Sequence, residues 1–161
     1  MASTQIWQEY NTSSSSYTVM TNMNFGSSNT ANMNTALYPI NANSYSYEKW
    51  IKVQFNDVTN PISDIKLYKS SGSYVTGETL KFGCTTTFET PTNSQSSVAT
   101  TTMPTSEPDN ANITIGGSLS GSITTSEETT DFIVTQANFD QNTSAGESDT
   151  KTFTLSWTET L

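Results

Sequence analysis

Within residues 151–160, hydroxyl and apolar side chains alternate without a break from Thr152 to Thr158. Phe153, Leu155 and Trp157 fall on one side, and Thr152, Thr154, Ser156 and Thr158 on the other. Successive side chains of an extended strand point to opposite faces, so this run buries one clean face only as a strand; a helix would scatter the same groups around its circumference. The same period of two recurs upstream. Tyr45, Tyr47, Ile51, Val53 and Phe55 share a face through about Asp57, and Leu80, Phe82, Cys84, Thr86 and Phe88 share one over residues 79–89. Residues 62–68 form a shorter strand with Ile65 and Leu67 on one face. Residues 130–139 carry Phe132, Ile133 and Val134 on both faces, the mark of a central strand.

Weaker strands are expected at 17–25, where Tyr17, Val19, Thr21, Met23 and Phe25 are in phase, and at 95–103, which is polar enough for an edge. Residues 112–115 and 118–123 flank Gly116-Gly117, which reads as a tight turn or bulge. Turn residues punctuate the rest at 26–29, 60–61, 70–73, 90–91, 104–108 and 144–147. No segment shows a helical period. The expectation is an all-β protein, an antiparallel β-sandwich of about eight strands, with jelly-roll and immunoglobulin-like wiring both open.

Residues 45–161 supply enough alternating apolar positions for one sandwich core. Residues 1–44 do not obviously fit in it. They read as an extended Ser/Asn/Thr-rich N-terminal arm with one strand at about 17–25. Its spaced apolar residues, Ile6, Trp7, Tyr10, Met20, Met33, Leu37 and Tyr38, need a surface to cover, on the sandwich itself or on a neighbouring subunit.

Charge narrows the function. The 161 residues include six Lys, no Arg and no His against fifteen Asp and Glu, for a net charge of -9. That sign repels nucleic-acid phosphates and anionic lipid, so no nucleic acid and no membrane is expected as a partner. Without His there is no conventional triad and no His metal site. Glu127 and Glu128 could suggest a two-carboxylate hydrolase, but adjacent residues on a strand face opposite ways, and a solvated turn is the expectation. The acidic groups Glu107 with Asp109, Glu127 with Glu128 and Asp131, and Glu147 with Asp149 lack calcium-loop spacing. The reading is a non-enzymatic protein with no catalytic, cofactor or metal residues. Cys84, the single cysteine, is expected to pack as a small buried hydrophobe, with an interchain disulfide as the alternative.

The composition combines features that rarely meet. Ser and Thr make up about a third of the chain, as in extracellular adhesins. Yet the first residues have no basic start and no apolar core, so no secretory signal is expected, and the one thiol is unpaired. No stretch approaches the about 18 apolar residues of a membrane span. A particle assembled in a host cytoplasm and later released satisfies both sides, and so does a secreted chain whose leader has been removed.

Interface candidates are Trp7, Tyr10, Met20, Met33, Leu37, Tyr38 and Trp50. Trp50 is out of phase with Ile51, Val53 and Phe55 and shares its face with Glu48, Lys52 and Gln54. It is expected to pack under the N-terminal segment, with an interface as the alternative. Trp157, in phase with Phe153 and Leu155, is expected in the core.

A series of short segments carries a resemblance. Asn24-Phe25-Gly26 and Tyr38-Pro39-Ile40 precede the stretch from Asn43 to Val53. Ile65-Lys-Leu-Tyr68, Ala99 to Pro104, Asp131-Phe-Ile-Val134 and the closing stretch from Thr152 to Glu159 follow. Over about residues 24–159 this order is similar to small β-sandwich virion proteins of tailed bacteriophages, which serve as capsid decoration (cement) or tail-associated subunits. The resemblance implies a sandwich, a homo-oligomer, with a trimer favoured, and contact with the major capsid protein or other virion proteins. It implies a place on the outer surface of the virion, and no catalytic residues. The functional expectation is therefore a capsid decoration protein. A tail, fibre or baseplate subunit is one alternative. A carbohydrate-binding module or secreted adhesin, showing an exposed aromatic strip, is the other.

Overall fold

The structure, a computed structural model, describes residues 3–146 and 148–161. Among these it contains nine strands and no helix: β1 (Thr4–Ser13), β2 (Ser16–Val19), β3 (Ser44–Tyr45), β4 (Lys49–Asn56), β5 (Ile62–Ser71), β6 (Glu78–Thr85), β7 (Thr101–Thr102), β8 (Phe132–Phe139) and β9 (Thr152–Glu159). The all-β, antiparallel expectation holds. The layers are unequal. A large sheet runs β2-β1-β4-β8-β6-β7, with β3 also paired to β8, and a two-stranded sheet joins β5 to β9.

Each face of the large sheet has its own cover. The main core lies between the two sheets: Ile51, Val53 and Phe55 of β4, Leu80 and Phe82 of β6, and Ile133 of β8 meet Ile65 and Leu67 of β5 and Leu155 of β9. Met103, Ile113 and Ile123, from the long connection between β7 and β8, plug its end. Burial stabilises by about 1.5–3 kcal/mol per large aliphatic side chain. The opposite face carries a smaller aromatic core of Tyr10, Trp50, Phe132 and Val134, roofed by Phe88, Val98 and Ala99. Both faces of β8 are thus apolar, in line with its place at the sheet centre.

Several boundaries differ from the sequence expectation. The 1–44 segment, expected as an extended arm that covers the sandwich or a neighbour, enters the large sheet itself: β1 pairs with β4 in unbroken register from Thr4 opposite Asn56 to Tyr10 opposite Trp50. Its Trp7 packs on the main core and its Tyr10 on the aromatic core. Gln8 and Glu9 between them hid the alternation, because these polar groups are buried too and are among the most enclosed residues described. The strand expected at 17–25 stops at Val19. There Asn32 Oδ1 accepts from the backbone N–H of Thr21 (2.7 Å), and Asn32 Nδ2 donates to the Val19 carbonyl (3.0 Å), closing the ladder with a side chain. The strand expected from Tyr45 to about Asp57 divides into β3 and β4. Between them Tyr47 N–H turns to the Gly26 carbonyl and Glu48 N–H to the Thr92 carbonyl. Phe88 leaves the face it was expected to share with Leu80 and Phe82, because β6 ends at Thr85 and the chain crosses to cover Trp50.

Residues 20–43 form a long strap without strands. Met20, Met23 and Phe25 lay it on the main-core side of the large sheet. Asn24 Nδ2 donates to the Met33 carbonyl (2.8 Å), and Met33 is buried within the strap.

Candidate interaction surface

The seven interface candidates separate into two groups. Tyr10, Met33 and Trp50 are buried, while Trp7 and Met20 are half-buried against the main core. Trp50 stacks edge-on against Phe88 and Phe132, with centroids at 5.3 and 5.8 Å, and its Nε1 donates to Glu48 Oε2 (2.9 Å). It lies in the same core as Tyr10 of the N-terminal segment, but its roof is Phe88 and the 88–99 connection. It therefore presents no face on which a sugar ring could stack. Leu37 and Tyr38 are exposed on the strap. Sequence reasoning missed Tyr17 and Val19 as surface groups because they were placed on the buried face of a longer strand; both are exposed on β2.

Tyr17 is held in place from below. Its ring lies 5.6 Å from Tyr10, which meets Phe132 edge-on at 5.2 Å. Burial, and next the neighbouring Tyr17, push the Tyr10 hydroxyl above its ordinary pKa. That hydroxyl donates to Gln8 Oε1 (2.9 Å), and Gln8 Nε2 donates to Gln54 Oε1 (2.5 Å), so an amide ladder continues from the aromatic row across β1 and β4.

Many of the carboxylates are engaged by the fold. Asp131 accepts from the N–H groups of Gly116 (3.1 Å) and Gly117 (2.8 Å), both at positive φ, which fixes the expected Gly-Gly turn. Glu128 accepts from Thr125 and Thr124 N–H, and these backbone bonds hold its carboxyl below the usual range. Glu48 accepts from Trp50 Nε1 and Thr92 N–H. Glu9 pairs with Lys49, and Glu78 with Lys151. Among the described residues no three Asp, Glu or Cys side chains gather as metal ligands; Glu147, part of one acidic group noted in the sequence, lies outside the described residues. Cys84 packs against the main core, and burial raises its thiol pKa.

A cleft of ≈ 1320 Å³ opens where the strap and the β5–β9 sheet, the two covers of the main-core face, fail to meet. Tyr38 and Ile40 of the strap, Tyr74, Phe139 and Phe153 line it, with the Glu78–Lys151 ion pair (2.8 Å) at one side.

The chain matches no protein-family model, no curated protein and no solved structure.

Proposed function

We propose that this chain is a non-enzymatic structural protein of a tailed-phage virion, a capsid decoration or cement protein that works through contacts between subunits. The observation that carries the reading is a division of labour in the surface. Acidic groups such as Glu48, Glu128 and Asp131 cap backbone and side-chain donors of the fold itself. Four of the six large apolar groups left open among the described residues lie instead on β2 (Tyr17, Val19) and the strap (Leu37, Tyr38). The order of short segments over residues 24–159 supports the same class. Burial of Trp50 counts against a glycan-binding strip built on that residue. The net charge of -9 faces away from DNA and lipid in this reading.

Mechanistically, a rigid sandwich laid across a seam between capsid subunits adds a contact of about 1,600 Å² per pair. Repetition around a shell turns modest single contacts into high avidity. The test is copy number in purified particles, by quantitative gel or mass spectrometry. A decoration protein approaches the stoichiometry of the major capsid protein. A handful of copies points instead to a tail, fibre or baseplate subunit, and absence from the particle overturns the proposal.

A further inference from the structure

The Lys49 ammonium and the Asn11 side-chain amide share one oxygen. Glu9 Oε1 accepts from Lys49 Nζ at 2.9 Å and from Asn11 Nδ2 at 3.0 Å. Strand pairing brings the three together. With Tyr10 opposite Trp50, the next pair along the β1–β4 ladder is Asn11 and Lys49, on the face that Glu9 also takes. The Lys49 and Glu9 side chains are 1 and 0% exposed. The strap closes the site: Lys49 Nζ also donates to the Thr30 carbonyl (2.8 Å), and Asn29 Oδ1 accepts from Asn11 Nδ2 (2.7 Å). The second Glu9 oxygen, Oε2, is buried with no hydrogen-bond partner among the described residues. A carboxylate kept only to neutralise a lysine does best with partners on both oxygens. Here two side-chain nitrogens crowd onto one oxygen while the other stays bare.

We propose that Glu9 joins Lys49 to Asn11 through an amide bond between their side chains, a covalent rivet from β1 to β4. The inference goes beyond the virion reading and does not depend on it. In a site closed to water, the ion pair and its neutral form differ by one proton moved along the 2.9 Å hydrogen bond. That transfer leaves Lys49 as a free amine, the form that attacks a carbonyl. Nζ bonds to Asn11 Cγ, the Cγ–Nδ2 bond breaks, and Nδ2 leaves as ammonia. Glu9 Oε1 touches both nitrogens, so it takes a proton from the one that must lose it and returns one to the one that must gain it. The atoms balance without an oxidant or a co-reactant. The new amide keeps a single hydrogen, ammonia carries away its own complement, and the surplus proton of the ion pair stays on Glu9, which ends neutral. A neutral acid is the form that a buried site without its cation can hold. Amides resist amines in water, but groups held in contact by a fold act at an effective concentration of about 10⁵ M or more.

The experiment is peptide mapping of the full chain, denatured and cut on the carboxyl side of glutamate. Cleavage after Glu9 and Glu48 puts Asn11 and Lys49 on different fragments. The expected result is one branched peptide that carries both, lighter by one ammonia than the two fragments together, with fragment ions that place the link between Lys49 and Asn11. In Lys49→Arg, which keeps a cation beside Glu9 and removes the amine, the two fragments separate. Asn11→Ala, which removes the carbonyl under attack, separates them as well. The wild-type map decides alone, so the outcome does not hang on either variant folding. Wild-type fragments that separate completely overturn the proposal, and so does a branched peptide that survives Lys49→Arg. Ammonia lost from the Asn11 fragment alone marks ring closure of Asn11 on its own backbone and overturns it too.

Discussion

The Lys49 ammonium lies 2.9 Å from the Glu9 carboxylate, with the two side chains 1 and 0% exposed. Lys49 Nζ also donates to the Thr30 carbonyl (2.8 Å), and Asn11 Nδ2 donates to Glu9 Oε1 (3.0 Å). One ion pair thereby fastens β1 to β4 and the strap to both. A buried pair contributes little net stability, but removing one partner strands the other charge in a low dielectric. Lys49→Met alone is expected to cost about 3–5 kcal/mol. Adding Glu9→Gln should restore much of the loss, because the stranded charge is then gone. Urea unfolding of the two variants decides it: a double variant no more stable than Lys49→Met alone would contradict this account.

Asn112 stands in for a missing strand beside β5. Its Oδ1 accepts from Leu67 N–H (2.7 Å) and its Nδ2 donates to the Leu67 carbonyl (2.8 Å), so one side chain satisfies both backbone groups of a core residue. Asn112→Ala leaves both without that partner, and we expect a loss of about 2 kcal/mol. Asn112→Gln should not rescue it, since the longer side chain overshoots the register. Chemical denaturation of both variants is the check.

Gly83 sits on β6, where the segment roofing the aromatic core crosses closely. A Cβ at this position would overlap the Val98 carbonyl, a backbone atom that cannot swing aside. Gly83→Ala is expected to destabilise by about 1–3 kcal/mol, the range for overpacking. Trp50 fluorescence should shift to the red as the roof lifts. A neutral substitution would show that the 98–99 segment moves freely.

Burial raises the Cys84 thiol above its ordinary pKa, followed in size by the opposing hydrogen bonds to Thr114. A folded-state pKa above the unfolded value means that the stability tied to this group is intact below the unfolded pKa. It is lost as pH rises through the folded one. The native chain should therefore react slowly with a thiol reagent at pH 8 and quickly in urea, and stability should decline on the alkaline side. Fast native labelling would place the thiol at the surface and revive an interchain disulfide.

Where the alternation was clean the strands could be read directly. Phe153, Leu155 and Trp157 are packed on the main core, and Phe132 to Val134 mark the strand at the sheet centre. Two kinds of residue misled. Gln8 and Glu9 are buried polar groups whose partners, Gln54 and Lys49, are brought alongside only by the pairing of β1 with β4, so no local pattern announces β1 as an inner strand. Asn32 ends β2 by a side-chain contact from thirteen residues downstream of Val19, which period-two reasoning extends straight through. Trp50 and Phe88 form a pair across a change of sheet face, and a strand pattern carries Phe88 to the wrong side. The surface was half legible: Leu37 and Tyr38, named among the interface candidates, are exposed, whereas the exposure of Tyr17 and Val19 depends on where β2 stops.

Among the described residues strand β5 has one strand partner, β9, joined from Ile62 opposite Glu159 to Ser71 opposite Thr152. During synthesis this has a timing consequence. Ile65 and Leu67 emerge from the ribosome long before Leu155, so the smaller sheet cannot close until the last strand clears the exit tunnel. Until then the growing polypeptide carries a greasy, half-roofed intermediate, and a premature stop anywhere before residue 152 releases it in that state.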